Sequence, residues 1–190
     1  MSKRADFCSS QPPGTGKTKT IIETIKLLKV FPYKLLYRYG QWSNLFQVHF
    51  EVVHPLLVCT FTNVAVDNLV EGFVAVGVKA LRVAFGGKVK ASLTEHTLDY
   101  KLDQHPSKPE LDRLTQEDHA LDREITNLAK RIFELEKAGR YPSRLDRMRA
   151  SVVFKERQQN IVRSRKYALR QKMLRQILAA ADVVNFSGIV

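Results

Sequence analysis

The chain has 190 residues, 44% of them hydrophobic and 26% charged, enough apolar material for one core with at most an appendage. Lys and Arg number 31 against 19 Asp and Glu, a formal net charge of +12, which favours an anionic partner and leaves nucleic acid, a phosphorylated ligand and an acidic membrane surface open. Two cysteines, Cys8 and Cys59, argue against a disulfide framework or a zinc module; no apolar signal-peptide core and no window of about 18 uninterrupted apolar residues is present, so a soluble, intracellular, non-membrane protein is expected.

The first organised stretch is a Gly-rich loop, PPGTGKT at residues 12–18, running into residues 19–30, where Ile21, Ile22, Ile25 and Leu28 recur at helical spacing. A phosphate-binding loop needs small residues so that successive backbone N–H groups converge on oxygen atoms, and the following helix adds its positive end. Gly14 and Gly16 permit that path, Lys17 is placed to reach the outer phosphates, and Thr18 offers a hydroxyl to Mg²⁺. The signature GxxxxGK[ST] opens here on Gln11 in place of glycine, and the preceding SKRADFCSSQ is a poor hydrophobic strand. Pro32 helps to end the helix. Phe31, Tyr33, Tyr37, Tyr39, Trp42 and Phe46 then form an aromatic burst within residues 30–47.

Leu56 to Thr60, a short apolar run after Pro55, suits a buried strand. After the turn TFTN, residues 64–76 have amphipathic helical spacing with Val66, Leu69, Val70 and Phe73 on one side; Gly77 stops that helix and residues 80–85 read as another strand. Loop, helix, strand, helix and strand are the start of an α/β domain. From Pro109 the character changes. Leu114, Leu121, Leu128 and Leu135 repeat every seven residues with Ile125 and Ile132 between them, predicting one long helix with a single seam. Residues 139–142 break it, and a second helix over 143–180 returns, most simply as an antiparallel helical hairpin. Residues 140–175 hold twelve Arg and Lys against Asp146 and Glu156, a one-signed stretch that repels itself unless it meets an anionic surface. It lacks interleaved aromatic stacking platforms, so nucleic-acid contact here, through Arg163, Arg165, Lys166 and Arg170, would be mainly to phosphate; a merely solvated face is the rival reading.

With these blocks in order, the chain resembles the N-terminal part of the first RecA-like domain of superfamily 1B helicases, in the regulator-of-nonsense-transcripts and senataxin group. PPGTGKT looks like motif I, LLVCTFTNVAVDNLV at residues 56–70 is similar to motif Ia, and AADVV at residues 180–184 resembles the strand after the family's helical insertion. The resemblance implies a partial P-loop NTPase fold, α/β with a parallel sheet and a long helical hairpin insertion. It divides the chain into 1–109, a nucleotide-binding part with the atypical segment 30–47; 110–178, the hairpin; and 179–190, the return strand. It implies that Gly14, Thr15, Gly16, Lys17 and Thr18 hold the phosphates of ATP and its Mg²⁺, with Lys17 and Thr18 the catalytic positions and Thr18 the metal ligand. It places Thr60, Thr62 and Asn63 against the backbone of single-stranded RNA or DNA, in nucleus or cytoplasm. Read from the residues alone, Thr62 or Asn63 caps the next helix, which does not exclude that contact. Asp67 and Asn68 read as packing and hydrogen-bonding residues, and Asp182 as a structural position.

ATP hydrolysis needs an acidic pair to organise Mg²⁺ and water, and in the resembled family arginines from a second RecA-like domain. Neither is in this sequence, so hydrolysis and unwinding are expected only in a full-length parent that supplies the missing second domain. Removing residues 30–47 leaves a continuous family-like reading, so that segment is either a retained intron or a genuine aromatic insertion. Three functional readings follow: an ATP-binding helicase fragment, a nonenzymatic nucleic-acid binder using the basic helix, and a nonfunctional truncated product.

Overall fold

The computed structural model describes residues 16–30, 54–83, 89–139 and 142–187; Gln11, Gly14, Thr15 and the aromatic segment after Val30 lie outside them. In chain order the elements are α1 (Lys17–Val30), β1 (Leu56–Thr60), α2 (Asn63–Ala75), β2 (Ala80–Val83), a 3-10 helix (Ala91–His96), α3 (Leu98–Asp103), α4 (Lys108–Lys137), α5 (Pro142–Ala179) and β3 (Val183–Ser187). They fall into two compact units, residues 1–101 with 176–190, and residues 102–175.

The first unit is a mixed α/β fold with a parallel sheet flanked by helices. Among the described residues the strand order is β1-β3-β2, all parallel, with Leu56 and Ala80 both in register with Val183. β3 is central, so its residues are buried on both faces except for the half-buried Phe186. β1 alternates instead: Leu56, Val58 and Thr60 are half-buried while Leu57 and Cys59 are exposed, the period-two signature of a strand covered on one face, where the apolar run predicts a fully buried strand. Val66, Leu69, Val70 and Phe73 lie three and four apart on α2 and pack with Val78, Ala80, Val183 and Ile25 into one core. The helix ends where Gly77 takes φ +74°, a conformation glycine reaches without a Cβ penalty.

α1 lies close against α2. A Cβ placed on Gly72 would come within 2.2 Å of Ile22 Cδ1, so the missing side chain there is what permits the approach. The amino ends of the strands are tied by Asp182. Its carboxylate accepts from the Lys79 N–H at 2.9 Å and from Lys29 Nζ at 2.7 Å, while its carbonyl accepts from the Leu56 N–H at 2.9 Å. Lys29 also donates to the Gly77 carbonyl at 3.1 Å. Partial burial raises the Asp182 pKa, but the Lys29 ammonium and the Lys79 amide outweigh it and hold the carboxyl below its ordinary value. This carboxylate is therefore structural.

The second unit contains the helical hairpin. α4 and α5 run antiparallel, as their cross-links show: Glu136 meets Arg149, Glu124 meets Lys155, and Asp118 meets Arg163 and Lys166. As the register moves up one helix it moves down the other. Leu114, Val162 and Met173 are buried, and Leu121, Leu128 and Leu135 are half-buried along the seam. Gly139 closes the first helix at φ +64°. The short 3-10 helix and α3, between β2 and the hairpin, carry no periodic signal long enough to read from sequence.

Candidate nucleotide and nucleic-acid site

α1 begins at Lys17, directly after Gly16, whose φ of +79° suits a residue without a side chain. The Gly16 carbonyl accepts the first helical bond, from the Thr20 N–H at 3.0 Å. The opening turn has no acidic residue and instead carries Lys17 and Lys19, cations at the positive end of the helix dipole. That arrangement is unfavourable by itself and becomes favourable when an anion sits at the helix start. Lys17 is half-buried and Thr18 exposed. A glycine in the left-handed region, a lysine and a hydroxyl at a helix N-terminus fit a phosphate group with its Mg²⁺.

The direction of α1 locates this end. Lys29, in its last turn, touches Asp182 and Gly77, which precede β3 and β2, so the far end of α1 lies at the amino edge of the sheet. Ile22 lies against Gly72 and Lys29 against Gly77, so α1 runs in the same direction as α2, and the twelve residue steps from Lys17 to Lys29, about 18 Å of rise, lead back toward the carboxyl edge. The turn after β1 lies at that edge too, because β1 ends at Thr60 and α2 starts at Asn63. Both groups of predicted site residues thus share the edge at which parallel α/β sheets bind ligands.

At the β1–α2 turn, Thr60 Oγ1 donates to the Thr62 carbonyl at 3.1 Å. Thr62 is the N-cap of α2 and its hydroxyl oxygen accepts from the Ala65 N–H at 3.2 Å. Among the described residues the Thr62 hydroxyl has no acceptor for its own proton. Phe61 and Val64 are 84% and 66% exposed, so the turn offers an apolar surface beside its hydroxyls. Phe61 does not stand out in the sequence, where the only signal is an aromatic residue among Thr and Asn.

Behind the turn lies a buried polar patch. Arg82 Nε donates to Asp67 Oδ1 at 2.6 Å, with almost no solvent access to either side chain. Asn185 is in register with Arg82 and fully buried, and Ser187 is 4% exposed. One Arg82 Nη, both polar atoms of the Asn185 amide and Asn63 Oδ1 have no hydrogen-bond partner among the described residues.

The basic residues of α5 divide into two groups. Arg163 Nε donates to Asp118 at 3.0 Å and Lys166 to the other oxygen of the same carboxylate, while Arg163 also approaches Asp122 at 3.8 Å. The Lys166 hydrogen bond, with that of Arg163, outweighs burial and holds the Asp118 carboxyl below its ordinary value. The anionic surface this helix meets is therefore, in part, α4. Arg165 and Arg170 are exposed and have no acidic partner among the described residues. Arg165 lines an open groove with Glu117, Glu124 and Ile161.

A family model described as an AAA domain matches residues 3–186. The chain belongs to that family. Among curated proteins it is similar to the DNA polymerase alpha-associated DNA helicase A of Schizosaccharomyces pombe, at 30% identity over 88 residues. That stretch is 46% of this chain and 10% of the relative, so the chain spans only a small part of the protein it matches. The family and the sheet agree on a P-loop ATPase-type domain, consistent with nucleotide binding, and the relative adds weak similarity to a DNA helicase. No helix among the described residues is long and apolar enough to cross a membrane.

Proposed function

We propose that this AAA-family domain is the nucleotide- and strand-binding part of an ATP-dependent helicase of superfamily 1B type, similar to the senataxin group. The observation that supports it best is the shared carboxyl edge: Lys17 and Thr18 at the start of α1, and Thr60, Thr62 and Asn63 from the end of β1 to the start of α2, lie toward the same edge of one sheet. Gly14, Thr15 and Gly16 would cradle the phosphates of ATP, Lys17 would neutralise them and Thr18 would ligate Mg²⁺. Bound nucleotide supplies the phosphoryl chemistry, and these residues bind and orient it. Thr62 and Asn63 would hold the sugar-phosphate backbone of a single strand, with Phe61 available to stack on a base. Residues 1–109 and 179–190 would form this motor part and 110–178 an accessory hairpin; hydrolysis and unwinding belong to the longer protein. The relative's name favours DNA as the strand.

Calorimetry of the unaltered chain and of Lys17→Ala tests the nucleotide half: Mg-ATP should bind the first and not the second, and equal affinity removes the assignment. Titration with matched DNA and RNA oligonucleotides tests the other half and decides the sugar. A second reading, phosphate binding by the outward cations of α5 alone, draws on exposed Arg165 and Arg170. It predicts binding that falls steeply with salt and ignores changes at Thr62.

A further inference from the structure

We propose that Arg82, acting through Asp67, is a positioning residue that sets the rotation of α2 over the sheet and so aims the Thr62–Asn63 turn at the strand. This rests on the strand-binding reading of that turn given above. Arg82 comes from β2 and the turn is joined to β1, two strands with β3 between them. The link from Thr60 to Asn63 anchors one side of the helix start, and its Thr60–Thr62 hydrogen bond reaches no farther than the turn itself. The Arg82–Asp67 contact anchors the helix from the opposite strand.

Asp67 lies four residues beyond Asn63, one turn along the same face of α2. Val66, Leu69, Val70 and Phe73, around it, are apolar and buried, with no polar group to bond to the sheet. Apolar burial is non-directional and sets no hydrogen-bond geometry that singles out one rotation of the helix. The 2.6 Å bond between Arg82 Nε and Asp67 Oδ1 does, because a rolled helix would leave two buried charges unpaired. A buried ion pair adds little net stability compared with well-packed apolar residues of the same volume, and its best-attested use is to select one registry. Thr62 and Asn63 belong to the same rigid helix, so a rotational error at Asp67 is carried directly to them. Among the described residues Asp67 is the carboxylate paired with Arg82, and the neighbouring Asn185 amide, which bonds to nothing, does not share the guanidinium.

The test uses the full chain and a deoxythymidine oligonucleotide, followed by fluorescence anisotropy, with Mg-ATP calorimetry and a thermal melt alongside. Asp67→Leu combined with Arg82→Met removes both charges and fills their space. Its melt and Mg-ATP affinity should stay near those of the parent while oligonucleotide affinity falls about tenfold or more, a pattern that loss of structure would not produce. Arg82→Lys keeps the charge but not the planar donor, and should weaken the oligonucleotide about threefold. Thr62→Ala separates the two claims. If it weakens binding and the double variant does not, the positioning role is wrong and the strand site stands. If it has no effect, or the parent does not bind, both fall. Should the double variant fail to fold, Arg82→Lys decides: parent-like oligonucleotide affinity overturns the proposal, and a loss with Mg-ATP affinity retained supports it.

Discussion

Arg82 and Asp67 in the sheet unit, and Arg149 and Glu136 in the hairpin, meet at the same distance, 2.6 Å. The first pair is almost sealed from water, whereas the side chains of the second are 58% and 42% exposed. Water screens the exposed pair and rehydrates either partner when the other is lost, so its contribution is about 0–1 kcal/mol. The buried pair has no such refuge, and removing one member strands a charge at a cost of about 3–5 kcal/mol. Length of contact says little about energy; the surroundings decide it. The sheet unit seals this one pair from water while leaving Lys90–Glu71 exposed, and in the hairpin Arg149–Glu136, Lys155–Glu124 and Arg163–Asp118, spaced along the seam, each keep one partner half exposed or more.

The sharpest way to break this contrast is Asp67→Ala, which should destabilise the chain by about 3–5 kcal/mol in urea unfolding. A loss below about 1 kcal/mol would place the pair in the same class as the hairpin's. Asp118→Asn comes next, because this carboxylate, only 10% exposed, joins Arg163 and Lys166. A loss of about 1.5–3 kcal/mol is expected for hydrogen bonds to charged groups, read from the helical circular dichroism signal during unfolding. Gly72→Ala should cost about 1–3 kcal/mol through its clash with Ile22, and Ile22→Ala in the same chain should relieve that clash in a double-mutant cycle. The smallest effect belongs to Glu136→Ala, within about 1 kcal/mol by the same unfolding measurement, because the Arg149 it releases already faces water.

Acid should affect the two units together. Asp118 and Asp182 both have pKa values lowered in the folded chain. A depressed carboxylate binds its proton more readily in the unfolded state, so its contribution is complete above the ordinary carboxylate value of about 4 and disappears as pH falls through the lower, folded value. Melting temperature should thus hold from neutrality to about pH 5 and fall below about pH 4. Asp118→Asn should flatten part of that fall.

Much of this architecture can be read from residues. The spacing of Val66, Leu69, Val70 and Phe73 predicts the buried face of α2, and the seven-residue repeat from Leu114 to Leu135 predicts the seam of α4, because long periodic patterns constrain rotation strongly. The α5 charge is legible only in part. Counting its cations alone misses that Glu136, Glu124 and Asp118 descend α4 as Arg149, Lys155 and Arg163 ascend α5, a complementarity that exists only once the chain turns back on itself. Arg82 gives a fainter signal, a lone guanidinium in the apolar run ALRV, and its partner lies fifteen residues away on another element. The motif at residues 12–18 identifies the start of α1, but the common edge it shares with the β1–α2 turn needs the helix direction, which Lys29 and Asp182 supply.

The strand order has a consequence for how the sheet comes into being. β1 and β2 are each bonded to β3 and not to one another, and β3 follows the whole hairpin in the chain. The Lys79–Asp182 bond alone spans 103 residues. During synthesis β1 and β2 therefore leave the ribosome before the strand to which both pair, while the hairpin, whose partners are neighbours across a turn, can close at once. Until residues 183–187 arrive, the backbone N–H and C=O groups with which β1 and β2 will pair to β3 are open to other chains. The hairpin acts as a timer for the sheet: its length sets how long those groups wait.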